Sequence, residues 1–159
     1  MLFGGHYHIL CLNYALCLSH LSNLYISTNT VEAACEQMLK AVTIFSAHFP
    51  HNLDYANSLN NLAFYYEFVN NKEAAEGQYV KAIAIYSTHF PQHSLYANCL
   101  LNYGEFLGNS GRKAEAITRV EAALQVSKCN NYQEMRSRCQ SKLQQLRNPS
   151  NPIRIIVSI

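Results

Sequence analysis

Charge is scarce in this chain, and none of it comes early. Only 14% of the 159 residues are Asp, Glu, Lys or Arg, and the first of them is Glu32. Set beside 49% apolar residues, that scarcity excludes a disordered, charge-rich segment. Six glycines and four prolines are too few for a collagen-like or flexible linker protein. No two of the six cysteines stand as C-x-x-C, which excludes a zinc-knuckle or thioredoxin signature. Cysteines placed this way are expected as small, buried apolar side chains of a reduced, cytoplasmic protein. G-x-S-x-G, H-E-x-x-H and a glycine-rich phosphate loop are all missing, so neither catalytic residues nor a cofactor are expected. His6, His8, Cys11 and Cys17 are the densest cluster of metal-ligating types. Their spacing suits no zinc site, and no metal is expected.

The uncharged beginning raises the question of an export or membrane segment. It lacks the basic start of a signal peptide. Asn13, Ser19, His20, Ser22 and Asn23 interrupt its apolar run, so no membrane association is expected. The net charge of +2 gives no case for a nucleic acid partner. It is divided unevenly: residues 1–111 carry three basic and seven acidic side chains, residues 112–159 nine basic and three acidic. The basic third reads either as a solvated Arg-rich helix or as a docking surface for an acidic partner.

What the chain does have is internal repetition. The segment Phe49-Pro50-His51-Asn52-Leu53-Asp54-Tyr55-Ala56-Asn57 recurs 41 residues later as Phe90-Pro91-Gln92-His93-Ser94-Leu95-Tyr96-Ala97-Asn98. The same offset backwards brings Tyr14-Ala15 under Tyr55-Ala56. Three copies then align. Leu18, Leu59 and Leu100 coincide, as do Leu21, Leu62 and Tyr103. Ser22, Ala63 and Gly104 are all small, and Tyr25, Tyr66 and Leu107 all large. Further on, Ala34, Ala75 and Ala116 align, then Met38, Tyr79 and Val120, then Ala41, Ala82 and Ala123. Spacings of three and four are the helical period, and small residues recur where two helices must approach. Asn29, Asn70 and Gly111 separate two periodic runs in each copy, and these residue types tolerate the left-handed conformation that closes a helix. Second helices are predicted to begin near Val31, Lys72 and Lys113. Phe49-Pro50 and Phe90-Pro91 mark the joints between copies.

The run Leu59-Asn60-Asn61-Leu62-Ala63-Phe64-Tyr65-Tyr66, followed by Asn70, Ala75-Glu76, Tyr79 and Ala82-Ile83, resembles the tetratricopeptide repeat. The standard repeat has about 34 residues. The longer period here and the Leu-Asn-Asn-Leu-Ala string are similar to the kinesin light chain type. Where that family places His-Pro before the first helix, this chain has Asn52-Leu53 and His93-Ser94. The resemblance implies an all-α fold, an α-solenoid of stacked antiparallel helix pairs. It also implies a non-enzymatic scaffold that binds a protein or peptide. The expected organisation is residues 1–11 as a partial preceding repeat or extension, then three repeats over 12–48, 52–89 and 93–128. A capping helix over 131–147 and a tail over 148–159 complete it.

The first full helix is predicted from Leu12 to Ser27, without a polar cap before it. Solenoids usually need such caps. The chain is therefore expected either to be a fragment of a longer array, in a signalling or motor-adaptor protein, or to self-associate through that open end. From Tyr132 to Arg147, Tyr132, Met135, Cys139, Leu143 and Leu146 share one face. Arg136, Arg138, Lys142 and Arg147 would then form a basic outer face. Ile153 to Ile159 reads as an apolar, strand-like tail.

In stacked helix pairs the first helices line a concave groove. By helical period the side chains turned into it are Asn57, Asn60, Phe64, Glu67 and Phe68 in the middle copy, and Asn98, Leu101, Glu105 and Asn109 in the third. Ser19, Asn23 and Ser27 are their equivalents in the first. Amides can bond both polar groups of an extended peptide backbone, and Phe offers an apolar wall. In the kinesin light chain family asparagines of first helices contact bound peptides, and Asn60 matches that place. None of these positions is basic, so a clamp on carboxylates is not expected.

Overall fold

The computed structural model describes residues 3–28 and 30–148. They form seven helices: α1 (Phe3–Ser27), α2 (Val31–His48), α3 (Leu53–Phe68), α4 (Lys72–His89), α5 (Ser94–Asn109), α6 (Lys113–Cys129) and α7 (Gln133–Arg147). Among the described residues there is no strand, and the fold is an all-α helical repeat. The second helices α2, α4 and α6 start at Val31, Lys72 and Lys113, as the repeat predicts. The turn expected at Asn29 and the apolar tail lie outside the described residues.

The chain divides into two compact units, one up to Pro91 and one from Gln92. The first holds the antiparallel pairs α1–α2 and α3–α4, with α3 seated on α2. The second holds the pair α5–α6, with α7 packed on α6 and touching α5.

The aligned positions explain the packing inside each pair. Ala34, Ala75 and Ala116 are fully buried, as are Ala41, Ala82 and Ala123, and Met38, Tyr79 and Val120 fill the space between them. The small slot on the facing helix is just as strict. A Cβ on Gly104 would lie 2.6 Å from Val120 Cγ2 and 3.2 Å from the Ala116 carbonyl oxygen. At the equivalent place Ser22 donates to the Ala34 carbonyl oxygen at 2.7 Å.

The turns follow from their residues. Asn70 and Gly111 take positive φ, 58° and 81°. The next residue then bonds back into the last turn of the helix, Asn71 to the Tyr66 carbonyl at 2.8 Å and Arg112 to the Leu107 carbonyl at 2.9 Å. Asn131 (φ 55°) repeats this device before α7. Its neighbour Tyr132 bonds to the Ser127 carbonyl at 3.0 Å. So α7 follows α6 as α4 follows α3, through three residues rather than the four of the Phe-Pro joints. Where the resemblance would place His-Pro, side chains cap the helices instead. Asn52 Oδ1 accepts from the Asp54 N–H at 2.6 Å, and His93 Nδ1 from the Leu95 N–H at 3.1 Å.

The first helix departs from expectation. It begins at Phe3 rather than near Leu12, because nothing between them breaks it and its first turns find partners. The Tyr7 ring meets His48 edge-on at 6.2 Å, and His8 lies 4.7 Å from the Phe49 ring. In length and composition His6–Ser27 suffices to cross a bilayer, its polar interruptions notwithstanding. Two of those interruptions are used inside the unit: Ser22 on α2, and Ser19 on Ser58 of α3 at 3.1 Å. Leu21 was expected to be buried like Leu62 and Tyr103 and is instead exposed. The cysteine expectation holds for Cys99 and Cys139 alone. Cys17 and Cys129 are exposed, Cys11 and Cys35 half-buried, and all six are free thiols.

Candidate functional site

On α3, the helical period places Asn57, Phe64 and Phe68 along one stripe, and all three reach the surface, the phenylalanines exposed at 53% and 64%. The Phe64 ring stands edge-on to Tyr65 at 6.4 Å. Glu67 on the same helix is half-buried and accepts a hydrogen bond from the Tyr79 hydroxyl at 2.6 Å, which ties it to α4. Asn60 is the exception. It is buried, with its Nδ2 donating to Asn61 Oδ1 at 3.4 Å, so it is not the open groove amide that the period predicts. Its neighbours Ala56, Leu59 and Ala63 are buried with it, so the buried face of α3 extends past the stripe that meets α2. The first-copy positions behave likewise. Ser19 is buried, while Asn23 accepts from the Tyr65 hydroxyl at 3.5 Å. Burial pushes that hydroxyl's pKa upward, with the Ser22 hydrogen bond pulling it back.

In the second unit Leu101 is buried, and there α5 packs on both α6 and α7. Asn109 is exposed near the end of α5. Asn98 and Glu105 are half-buried and meet basic side chains. Arg138 Nη1 donates to Asn98 Oδ1 at 3.4 Å, and Lys142 Nζ lies 3.9 Å from Glu105 Oε1. These belong to α7, where the period had assigned Arg138 and Lys142 to an outer face. Cys139 and Leu143 do anchor α7, but the neighbouring basic residues turn toward α5. A cleft of about 360 Å³ opens there, lined by Glu105, Ser137, Arg138, Ser141, Lys142 and Gln145. On the same helix, burial holds the Cys139 thiol above its ordinary pKa.

The site that emerges differs from the expected one. Five of the nine predicted residues lie in the first unit and four in the second. Asn57, Phe64 and Phe68 remain as an amide-and-aromatic surface. Glu105 remains as one wall of a cleft whose other wall is cationic, and Asn98 remains as a partner of Arg138. None of the nine positions is itself basic, but Arg138 and Lys142 of α7 stand beside Asn98 and Glu105. Their sequence signal was Asn131, which holds the place of Asn70 in a three-residue turn and returns α7 against its predecessors. Among the described residues no three His, Cys, Asp or Glu side chains converge as metal ligands.

Residues 56–94 match the tetratricopeptide repeat family. Those residues form a tetratricopeptide-type repeat within the all-α helical-repeat fold. No curated protein sequence matches it. Solved structures share its fold at low identity. BtubC (BKLC) from P. vanneervenii is 19% identical with a TM-score of 0.67, over 91% of this chain and 69% of that one. The nearly identical TPR-like repeats of a kinesin light chain-type protein from Podosopora anserina superpose with a TM-score of 0.71 at 17% identity, over 82% of this chain and 64% of theirs. The first TPR domain of Spaghetti (RPAP3), bound to the HSP90 peptide SRMEEVD, gives 0.67 at 18% identity, over 86% of this chain and 93% of that one.

Proposed function

We propose that this protein is a non-enzymatic, cytoplasmic interaction module that takes a carboxylate-bearing protein segment into the cleft between α5 and α7. The observation that carries this reading is the pairing of Arg138 with Asn98 and of Lys142 with Glu105. Both contacts are long, so an incoming carboxylate can replace them at little cost and gain a charge-assisted bond. Ser137, Ser141 and Gln145 add donors and acceptors for a peptide backbone. The basic excess of residues 112–159 favours an acidic partner on approach. The peptide complex of the Spaghetti domain supports the reading by fold. Phe64 and Phe68 offer a separate apolar contact on the first unit.

The test is a titration of fluorescently labelled SRMEEVD against the chain, with an amidated peptide carrying Gln for Glu as control. The acidic peptide is expected to bind more tightly than its neutral form. Lys142→Ala and Arg138→Ala are each expected to weaken it by about tenfold. Equal affinity for both peptides, or binding that ignores both substitutions, would remove the cleft from consideration.

A further inference from the structure

A second surface lies on the first unit. Tyr7, Leu10, Tyr14, Cys17, Leu21 and Leu24 follow one another along α1 at spacings of three and four, which puts them in one stripe. All six are exposed, Tyr7, Leu10, Tyr14 and Leu24 at 58–67% and Leu21 at 38%. The repeat shows what this stripe is built for. Shifted by 41 residues, Tyr14, Leu21 and Leu24 become Tyr55, Leu62 and Tyr65 of α3. Tyr55 packs beside Phe45, Leu62 and Tyr65 join Ala34 and Met38, and Tyr65 bonds to Ser22. On α3 this face is the seat against the preceding helix pair. On α1 the same face is uncovered among the described residues.

We propose that a second copy of this chain covers it, α1 packing antiparallel against α1 about a two-fold axis. The spacing reads the same in both directions, so Tyr7 meets Leu24, Leu10 meets Leu21, and Tyr14 meets the small Cys17. No residue of α1 is Asp, Glu, Lys or Arg, so two copies approach without like-charge repulsion. At typical side-chain areas the stripe offers roughly 600 Å² per protomer, which brings the pair to about 1,200 Å², where stable interfaces begin. A head-to-tail stack would need an apolar acceptor at the other end of the chain. There α7 exposes Gln133, Glu134, Ser137, Gln140, Gln144 and Arg147 instead. A bilayer is the poorer occupant. Spanning would strip Ser19 and Ser22 from their partners, and a helix lying on the membrane surface would want lysines or arginines that α1 lacks.

Sedimentation velocity of the full chain between about 1 and 100 µM tests this. The wild type is expected to shift to a dimer. Leu10→Glu and Leu24→Glu are each expected to weaken association by about 100-fold or more with helix content unchanged by circular dichroism. Should either charge disturb the fold, Tyr14→Ser is the neutral variant and is expected to weaken the dimer as well. A monomer throughout the range would overturn the proposal, as would a dimer indifferent to these changes. So would a monomer that floats with phosphatidylcholine vesicles, which would assign the stripe to lipid.

Discussion

Leu62 and Leu21 occupy the same register position on α3 and α1, yet one is buried and the other exposed. Ser58 and Cys17 differ in the same way, and so do Tyr65 and Leu24. The residue types are alike and both helices are long. The difference lies in what stands in front of them: α3 has the α1–α2 pair, and α1 has no helix pair before it among the described residues. In a repeat protein the helix carries the stripe, but the neighbour decides whether that stripe is core or surface.

The largest contrast should come from placing one charge at this position in both helices. Leu62→Glu buries a carboxylate among Ala34, Met38 and Tyr65 and is expected to cost about 4 kcal/mol or more, seen as a collapse of the thermal transition. Leu21→Glu is expected to leave helix content intact.

A smaller contrast uses glycine. Gly104→Ala drives a methyl group into Val120 and the Ala116 carbonyl and is expected to lower stability by about 1–3 kcal/mol. Gly77 sits inside α4 with open space around it, so Gly77→Ala is expected to raise stability by about 0.5–1 kcal/mol. Chemical denaturation of the two variants should move in opposite directions.

The smallest effect concerns the turns. Asn70→Ala places a Cβ-bearing residue without a local hydrogen-bonding side chain at φ 58°, and about 1 kcal/mol is expected to be lost. Asn70→Gly should be neutral or better.

These contrasts also show where the sequence could be read and where it could not. Ala34, Ala75 and Ala116, with their partners on the facing helix, are set by the geometry of a single pair, so the period alone placed them. The starts at Val31, Lys72 and Lys113 follow from local turn chemistry and were legible for the same reason. Asn60 and Leu101 were misjudged because the buried face of a first helix extends past the stripe that meets one neighbour, and a period computed on one helix sees only that stripe. Arg138 and Lys142 were assigned to the outside because their direction depends on how α7 docks, which the Asn131 turn fixes and the amphipathic pattern does not. The start of α1 was missed because Phe3 to Cys11 carries neither a cap nor a breaker strong enough to decide the boundary.

The aligned slot 17, 58 and 99 offers the most direct test of this account. Thiol labelling of the native chain can be followed by peptide mass spectrometry, with Ser58→Cys supplying the middle position. Protein is kept dilute enough that no second copy covers α1. Cys17 is expected to react promptly. Cys99, whose pKa burial pushes up, and a cysteine at 58 are expected to react only as fast as the protein opens. Equal rates at all three positions would contradict the claim that one repeated face is closed on α3 and α5 and open on α1.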